Sequence, residues 1–500
     1  MKKFVFILIL IITCAGRMPA QVIIYTIDPS FNSELTLTRG GVSDIIHTST
    51  NKYLVMGNYF QASPQAGVFF TESGQYIYNF LEISGYYVQE YRGRYLKFGN
   101  HLGITGEAMT PYSDFKFEFQ KQLYSGPLAN IALDVLILEN DNILVAGRFF
   151  TDSTLMNTNI ESQGLRQLCL IDSLGIPVPG FPMVHCTQPI DAAIHRIDSL
   201  SDGSYIISGQ FTEVNGYMYN NIAKLNPDFS LDTTFYNILT PSSAVGIRLV
   251  DSQDRIWVGG GPNVALQSNP DEPIRYARLL SNGELDSSFS RPILQTLVGS
   301  NDDILAIRSP YVVVEDTDGT FIFGGNFVYV NGNYHKCLVK VQDDGTVVEN
   351  AFSNLGADGA SWPGYEPVSG AVAGTDIKKI LKLPDGNLLI GGEFSSFGGE
   401  PYSCLVRLQP SGFVGVDEKE GRGKLKVYPN PAREFITIQL PDKNQRLTQV
   451  QLYDLNGRLV QEVNIVDASG KIDLINLPQG MYVVKAISEK QVFTGKVLVE

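Results

Sequence analysis

The sequence predicts an all-β protein: a seven-bladed β-propeller followed by a smaller immunoglobulin-like β-sandwich. Three observations predict it. A ten-residue pattern recurs seven times between residues 50 and 394, each copy built from a polar turn, an apolar run and a glycine or glycine pair. The copies start 42 to 67 residues apart, too far for most helical solenoids and suited to one four-stranded blade plus a loop. The composition, with 48 Gly, 24 Tyr and 27 Phe in 500 residues, fits strands and turns better than helices.

The clear copies are Asp202 to Phe211, Asp318 to Phe327 and Asp385 to Phe394. Weaker ones run from Thr50, Asn140 and Gln253, and another from Arg92 is marked mainly by Tyr95-Leu96 and Gly99. Continuous apolar runs such as Leu388-Leu389-Ile390 lack the alternation of a half-exposed strand, so they suit strands covered on both faces. Asp or Asn before Gly supplies the turn, the Gly pair permits close backbone approach, and the closing Phe fills space between blades. A second half-motif follows most copies. Ala223-Lys224-Leu225-Asn226 leads to Leu231-Asp232-Thr233-Thr234-Phe235, and Ala277-Arg278-Leu279 leads to Leu285-Asp286-Ser287-Ser288-Phe289. Further copies lie at Cys337 to Phe352 and, cut short, at Cys404 to Phe413.

The ends of the array imply a ring. The last repeat stops at Phe413-Val414 without an LD-x-x-F tail, while Val22 to Phe31 closes on Ile27-Asp28-Pro29-Ser30-Phe31, such a tail with no strand before it. The two ends should pair, which would protect sheet edges without a capping repeat. Together the two half-motifs resemble the delta-60 repeat, a secreted β-propeller-like family, over most of Val22 to Val416. Repetition points to a shared fold rather than to one catalytic position.

Residues 417–423 are charged and Gly-containing, as expected of an exposed linker between a body at 21–416 and a module at 424–500. In that module Phe435 to Leu440, Val450 to Tyr453 and Tyr482 to Ile487 read as strands, and Asn456-Gly457 between two apolar runs is a hairpin signal. Several short strands of this kind suggest a sandwich. Val427-Tyr428-Pro429-Asn430-Pro431-Ala432, Val450 to Val460, and Ile472-Asp473-Leu474 with Leu477-Pro478-Gln479-Gly480-Met481-Tyr482 are closely similar to the C-terminal sorting domain of proteins exported by type IX secretion. The resemblance implies a partner, the type IX machinery, and a destination outside the cell.

The other terminus fits that destination. Lys2 and Lys3 precede an apolar run from Phe4 to Ile12, with a cleavage point expected after Ala20, the layout of a signal peptide at 1–20. That run is too short to span a bilayer as a mature anchor, and Thr13 before Cys14 disfavours lipidation there. The expected product is a secreted or outer-surface protein with no transmembrane segment in the mature chain. A formal net charge of -14 argues against nucleic acid or an anionic membrane as partner.

Motifs that carry chemistry are sparse. Cys169, Cys186, Cys337 and Cys404 are widely spaced, as buried free thiols would be, and His47, His101, His185, His195 and His335 are scattered. Asp316-Thr317-Asp318-Gly319 begins like a calcium loop, but Phe327 stands where the bidentate Glu belongs, so a hairpin turn is expected. The sequence therefore names no catalytic, cofactor-binding or metal-ligating residue. Function would be grafted onto the variable loops, 291–310 with Asp302 and Asp303, and 353–375 with Trp362, Tyr365 and Glu366, the candidate contact face for an extracellular protein or glycan. Two readings follow: a binding or adhesion module, or a carbohydrate-active hydrolase or lyase using two carboxylates that converge in the funnel.

Overall fold

A computed structural model describes residues 22–31, 41–57, 66–80, 86–99, 103–105, 131–150, 165–182, 184–187, 192–240, 245–260, 265–298, 304–352, 355–359, 375–414, 425–440, 447–453, 459–467, 469–474, 477–488 and 492–499. Every regular element among them is a β-strand, and the chain divides into two compact units after Val414.

In the larger unit seven sheets, each crossed by one copy of the pattern, follow one another along the described chain, accompanied by two further sheets of three and four strands and two of two strands. Each of the seven pattern starts falls on the hairpin that joins a sheet's innermost strand to the next. The turns share one geometry: Leu200 N bonds Ser204 O and Gly203 N bonds Leu200 O, and the same pair recurs at Leu138, Asp316 and Leu383. The fourth turn position is left-handed in each, at Asp141 (φ 65°), Gly203 (φ 81°), Gly319 (φ 77°) and Gly386 (φ 85°). Asp, Asn and Gly tolerate that conformation, which is why the motif keeps returning to them. The second strands are buried throughout: Leu388, Leu389 and Ile390 are all fully covered, as are the closing residues Phe211, Phe327 and Phe394.

Each sheet packs on its neighbours through these apolar runs. Ile322 of the sixth sheet shares a core with Ile377 and Ile390 of the seventh, and Val42 and Ile45 of the first pack against Leu389 of the seventh. The last sheet is completed from the other terminus. Val22–Ile27 pairs antiparallel with Leu405–Val414, from Val22 opposite Val414 to Ile27 opposite Leu408, and forms the sheet's outer strand. The same segment reaches the sixth sheet: Ile23 N bonds Asp318 Oδ2 at 2.7 Å, and Tyr25 donates its hydroxyl to Asp316 Oδ2 at 2.8 Å. Lys340 Nζ lies 2.5 Å from Asp316 and 2.8 Å from Asp318, so both carboxylates of the calcium-like stretch are committed to a buried lysine and a hairpin turn.

The stretches expected to be plain loops carry further structure. Leu294–Val298 and Ile304–Ile307, within the expected loop 291–310, pair with each other, and the former also pairs with Tyr329–Val330. Tight hairpins at Asn215-Gly216 and Asn331-Gly332 join the short strands Glu213–Val214 to Tyr217–Met218 and Tyr329–Val330 to Asn333–Tyr334. Both Asn-Gly pairs were available as sequence signals. The four described cysteines are buried.

The smaller unit is a sandwich of a three-stranded sheet, with Phe435–Gln439 at its centre, and a four-stranded sheet holding Leu447–Tyr453 and Gly480–Ser488. Ile436, Ile438, Val450, Leu452, Val484 and Val497 fill the space between them. The Pro-Asn-Pro-Ala stretch is tied to the last strand, with Leu498 N bonded to Asn430 Oδ1 and Ala432 N to Leu498 O.

Candidate binding site in the central channel

The innermost strands meet around a cavity of about 320 Å³, to which six of the seven sheets contribute. What faces it follows from the glycine of the repeat. At Gly209 an added Cβ would collide with Ala193 O and lie 2.9 Å from His195 N; at Gly392 it would collide with Asp376 O and lie 2.9 Å from Ile377 Cα. The inner strand passes so close to the second strand because it bulges there, with one residue left unpaired. The extra residue is Ser43, Leu133, His195, Arg248 or Lys378 in the first, third, fourth, fifth and seventh sheets. A bulge re-aims its side chains. Ser43, Arg248 and Lys378 line the cavity, as do Asp44, Asp134, Arg196 and Lys379, each the residue directly after a bulge.

Most of these charges are partnered across sheets. Lys379 Nζ is 2.7 Å from Asp44, and Arg196 is 3.6 Å from Asp134, which also accepts the Ile197 N–H at 3.0 Å. Lys378 sits 3.7 Å from Asp376 and 3.4 Å from Glu393. Burial pushes the Asp134 and Asp376 carboxyls up to about 6, against the pull of Arg196 and Lys378. Burial likewise raises Asp198. Arg248 differs: its Nε is buried without an acceptor among the described residues, and burial, with Arg196 beside it, lowers the guanidinium to about 10.

The arrangement can hold a polar or charged group in a small cavity lined by charges of both signs. Among the described residues no group of three metal-ligating side chains forms a metal site. Trp362, Tyr365 and Glu366, the contact face expected from sequence, and Asp302 and Asp303 lie outside the described residues. The channel charges escaped sequence reading because which strand residues face inward depends on the bulge. Their signal was a charged residue at the third or fourth position of five inner strands, Asp44, Asp134, Arg196, Arg248 and Lys378-Lys379, ahead of the turn.

Comparison with known proteins places both units. Residues 426–500 match the family described as the secretion system C-terminal sorting domain. Residues 200–235 and 383–414 match the domain of unknown function (DUF5122) beta-propeller. No curated protein sequence matches the chain. Among solved structures, the chain is similar to PorZ, a surface component of the type IX secretion system of Porphyromonas gingivalis, at 11% identity and a TM-score of 0.28 over 93% of this chain and 82% of that one. It is also similar to the extracellular domain of BT4673 from B. thetaiotaomicron, at 9% identity and a TM-score of 0.38 over 94% and 58%. A Bacteroides caccae protein of unknown function gives 11% identity and a TM-score of 0.30 over 53% and 92%. The body is a β-propeller and the C-terminal unit a type IX sorting domain, which points to a secreted or cell-surface protein.

Proposed function

We propose that this chain is an exported binding or adhesion module whose seven-bladed body, 21–416, contacts an extracellular protein or glycan. In this reading residues 1–20 are a signal peptide, 417–423 a linker, and 424–500 the part recognised by the type IX machinery. The observation that carries it is the charge ring of the channel, where bulges on successive inner strands aim side chains into one small cavity. Asp44 and Asp134 are each bound to a cation there, whereas a hydrolytic pair needs one acid and one unneutralised carboxylate flanking a bond. The loop face around Trp362 and Tyr365 is the proposed second contact.

The hydrolase or lyase reading draws on one feature, the Asp134 carboxyl raised to about 6, as a general acid would be. A glycan array run beside a reducing-sugar assay on the same polysaccharides separates the two. Binding without sugar release supports the module; release that Asp134→Asn abolishes would replace it with the enzyme. Truncation after Gly423 tests delivery and should leave a folded body that is not exported. Normal amounts of truncated protein outside the cell would sink that part.

A further inference from the structure

We propose that the small four-stranded sheet beside the sixth main sheet binds a neutral polysaccharide chain along its solvent face. The proposal rests on reading the body as a binding module and commits that reading to glycan.

The fourth, sixth and seventh main sheets carry the same appendage. After the closing Phe211, Phe327 or Phe394 the chain turns through a short hairpin, and a strand arriving from the preceding connection pairs with it: Cys186–Thr187, Leu294–Val298 or Ala357–Asp358. One register position is alike in the three copies. Cys186 lies opposite Val214, Leu294 opposite Val330 and Ala357 opposite Phe397, and every one of them is buried. The neighbouring position faces the other way, because successive strand residues alternate between faces. There the copies differ. Thr187, Glu213 and Met218 stand in line beside the fourth sheet, Asp358 and Ser396 beside the seventh, and Gln295, Tyr329 and Tyr334 beside the sixth. What is shared holds the fold, and what differs is open to a ligand.

Beside the sixth sheet the row is also the longest. Ile304–Ile307 adds a fourth strand, so that Ile307, Gln295, Tyr329 and Tyr334 lie side by side. At about 4.8 Å between strands the row runs roughly 14 Å, about three sugar rings. Tyr334 is 56% exposed, and Ile307 and Ile293 also open to solvent, the latter held at the hairpin by its N–H to Asn331 Oδ1. The Tyr329 and Tyr334 rings sit 5.8 Å apart at 67°, so one offers a face and the other a wall.

The chemistry of the occupant follows from this row. A sugar ring presents an apolar face of C–H groups and a rim of hydroxyls, which an aromatic face and uncharged polar tips complement. The Gln295 amide and the Tyr329 and Tyr334 hydroxyls make no hydrogen bond among the described residues. The charges nearby are already matched. Lys336 Nζ lies 2.9 Å from Asp358, which also accepts the Gly399 N–H at 3.2 Å. In a chain of formal net charge -14 the row carries no charge, whereas the other two copies carry Glu213 and Asp358. A neutral ligand therefore covers it without stranding a charge away from water. Ala357 N bonds Lys336 O, which makes the row continuous with residues 355–359 of the loop proposed above as a contact.

The test is affinity electrophoresis of the full mature chain through gels that hold a neutral β-glucan, α-glucan, mannan or xylan, or polygalacturonate. At least one neutral polymer should retard the protein, and polygalacturonate should not. Tyr329→Ala and Tyr334→Ala should each weaken that binding roughly ten- to hundredfold. Tyr334→Phe keeps the ring and should stay close to the parent, and Met218→Ala, at the matching position beside the fourth sheet, should change nothing. The melting temperature of Tyr334→Ala should hold, since the side chain is exposed. Retardation by no neutral polymer, or by polygalacturonate alone, overturns the proposal. Neutral-polymer binding that survives both alanine substitutions overturns this site and leaves the module reading standing, as would an extracellular protein held at this face in place of glycan.

Discussion

The tails of the fifth and seventh sheets are built from the same contacts, one within a short stretch of chain and the other across its whole body. In the fifth, Arg278 Nε bonds Asp286 Oδ2 at 2.7 Å, Ser288 caps Asp286 Oδ1 through its N–H and hydroxyl, and the guanidinium lies 4.7 Å from the centre of the Phe289 ring. In the seventh, Arg407 Nε bonds Asp28 Oδ2 at 2.7 Å, Ser30 caps Asp28 Oδ1 in the same way, and the guanidinium lies 5.0 Å from Phe31. The partners are 8 residues apart in one case and 379 in the other. Closing the longer loop in an unfolded chain costs about 3 kcal/mol more, at about 0.6 kcal/mol for each doubling of length. The molecule answers with more pairing. Where the fifth sheet's tail makes a single bridge, Leu279 to Leu285, the closing tail adds a six-residue strand and ties to the sixth sheet.

The comparison breaks most completely if residues 22–31 are deleted. That removes the outer strand of the seventh sheet with the buried Tyr25 and Phe31, and the melting temperature of the body should fall by on the order of 10 °C or lose its cooperative transition. An unchanged melting curve would sink closure as a source of stability.

A finer probe substitutes the two aspartates. Asp28→Ala leaves Arg407 without its carboxylate and should cost about 3 kcal/mol, as breaking a buried pair does. Asp286→Ala should cost less, because Arg278 keeps Asp343 at 3.0 Å. Urea melts rank the two, and limited proteolysis of Asp28→Ala should cut first near residues 22–31. Equal costs and equal protease resistance would mean that the closing contact is no more exposed than its local copy.

The smallest expected effect is in the pH profile. Burial alone would raise Asp28 and Asp286, but the hydrogen bonds from Ser30 and Ser288, helped by the arginines, outweigh it and hold both below the ordinary carboxylate value. Their stability is present above the unfolded pKa and is lost as pH falls through the folded one. Asp134 and Asp376 run the other way. Lifted by burial from 3.8 to about 6, they add stability that is full below 3.8 and lost as pH rises through about 6. Asp134→Asn should therefore flatten the decline in melting temperature between about pH 4 and 6 and leave the acid side unchanged. A curve parallel to that of the parent across this range would contradict the assignment.

Much of this fold was legible in the chain. The seven turns, the closing phenylalanines and the tail at Val22 to Phe31 that lacks a repeat of its own are local patterns, and local patterns survive in sequence. The reason for the repeated glycine was half legible: close approach could be expected, but the bulge that Gly209 and Gly392 accommodate is a property of strand pairing. The channel was therefore hidden, since a one-residue slip in the inner strand decides whether Asp134 or Leu133 faces inward. The short hairpins at Asn215-Gly216 and Asn331-Gly332 carry a readable turn signal, set among the stronger signals of the repeat. The partners of Arg278 and Arg407 could be guessed only after the register was known.

The outer strand of the seventh sheet also has a meaning in time. Val22–Ile27 leaves the ribosome long before Leu405–Val414, the strand it must meet. At about 5–20 residues per second the interval is roughly 20–80 s. Throughout it no portion of the chain yet made contains a complete body, and the waiting strand has no edge on which to settle. A chain destined for export is thereby kept open by its own topology until its last repeat has been delivered.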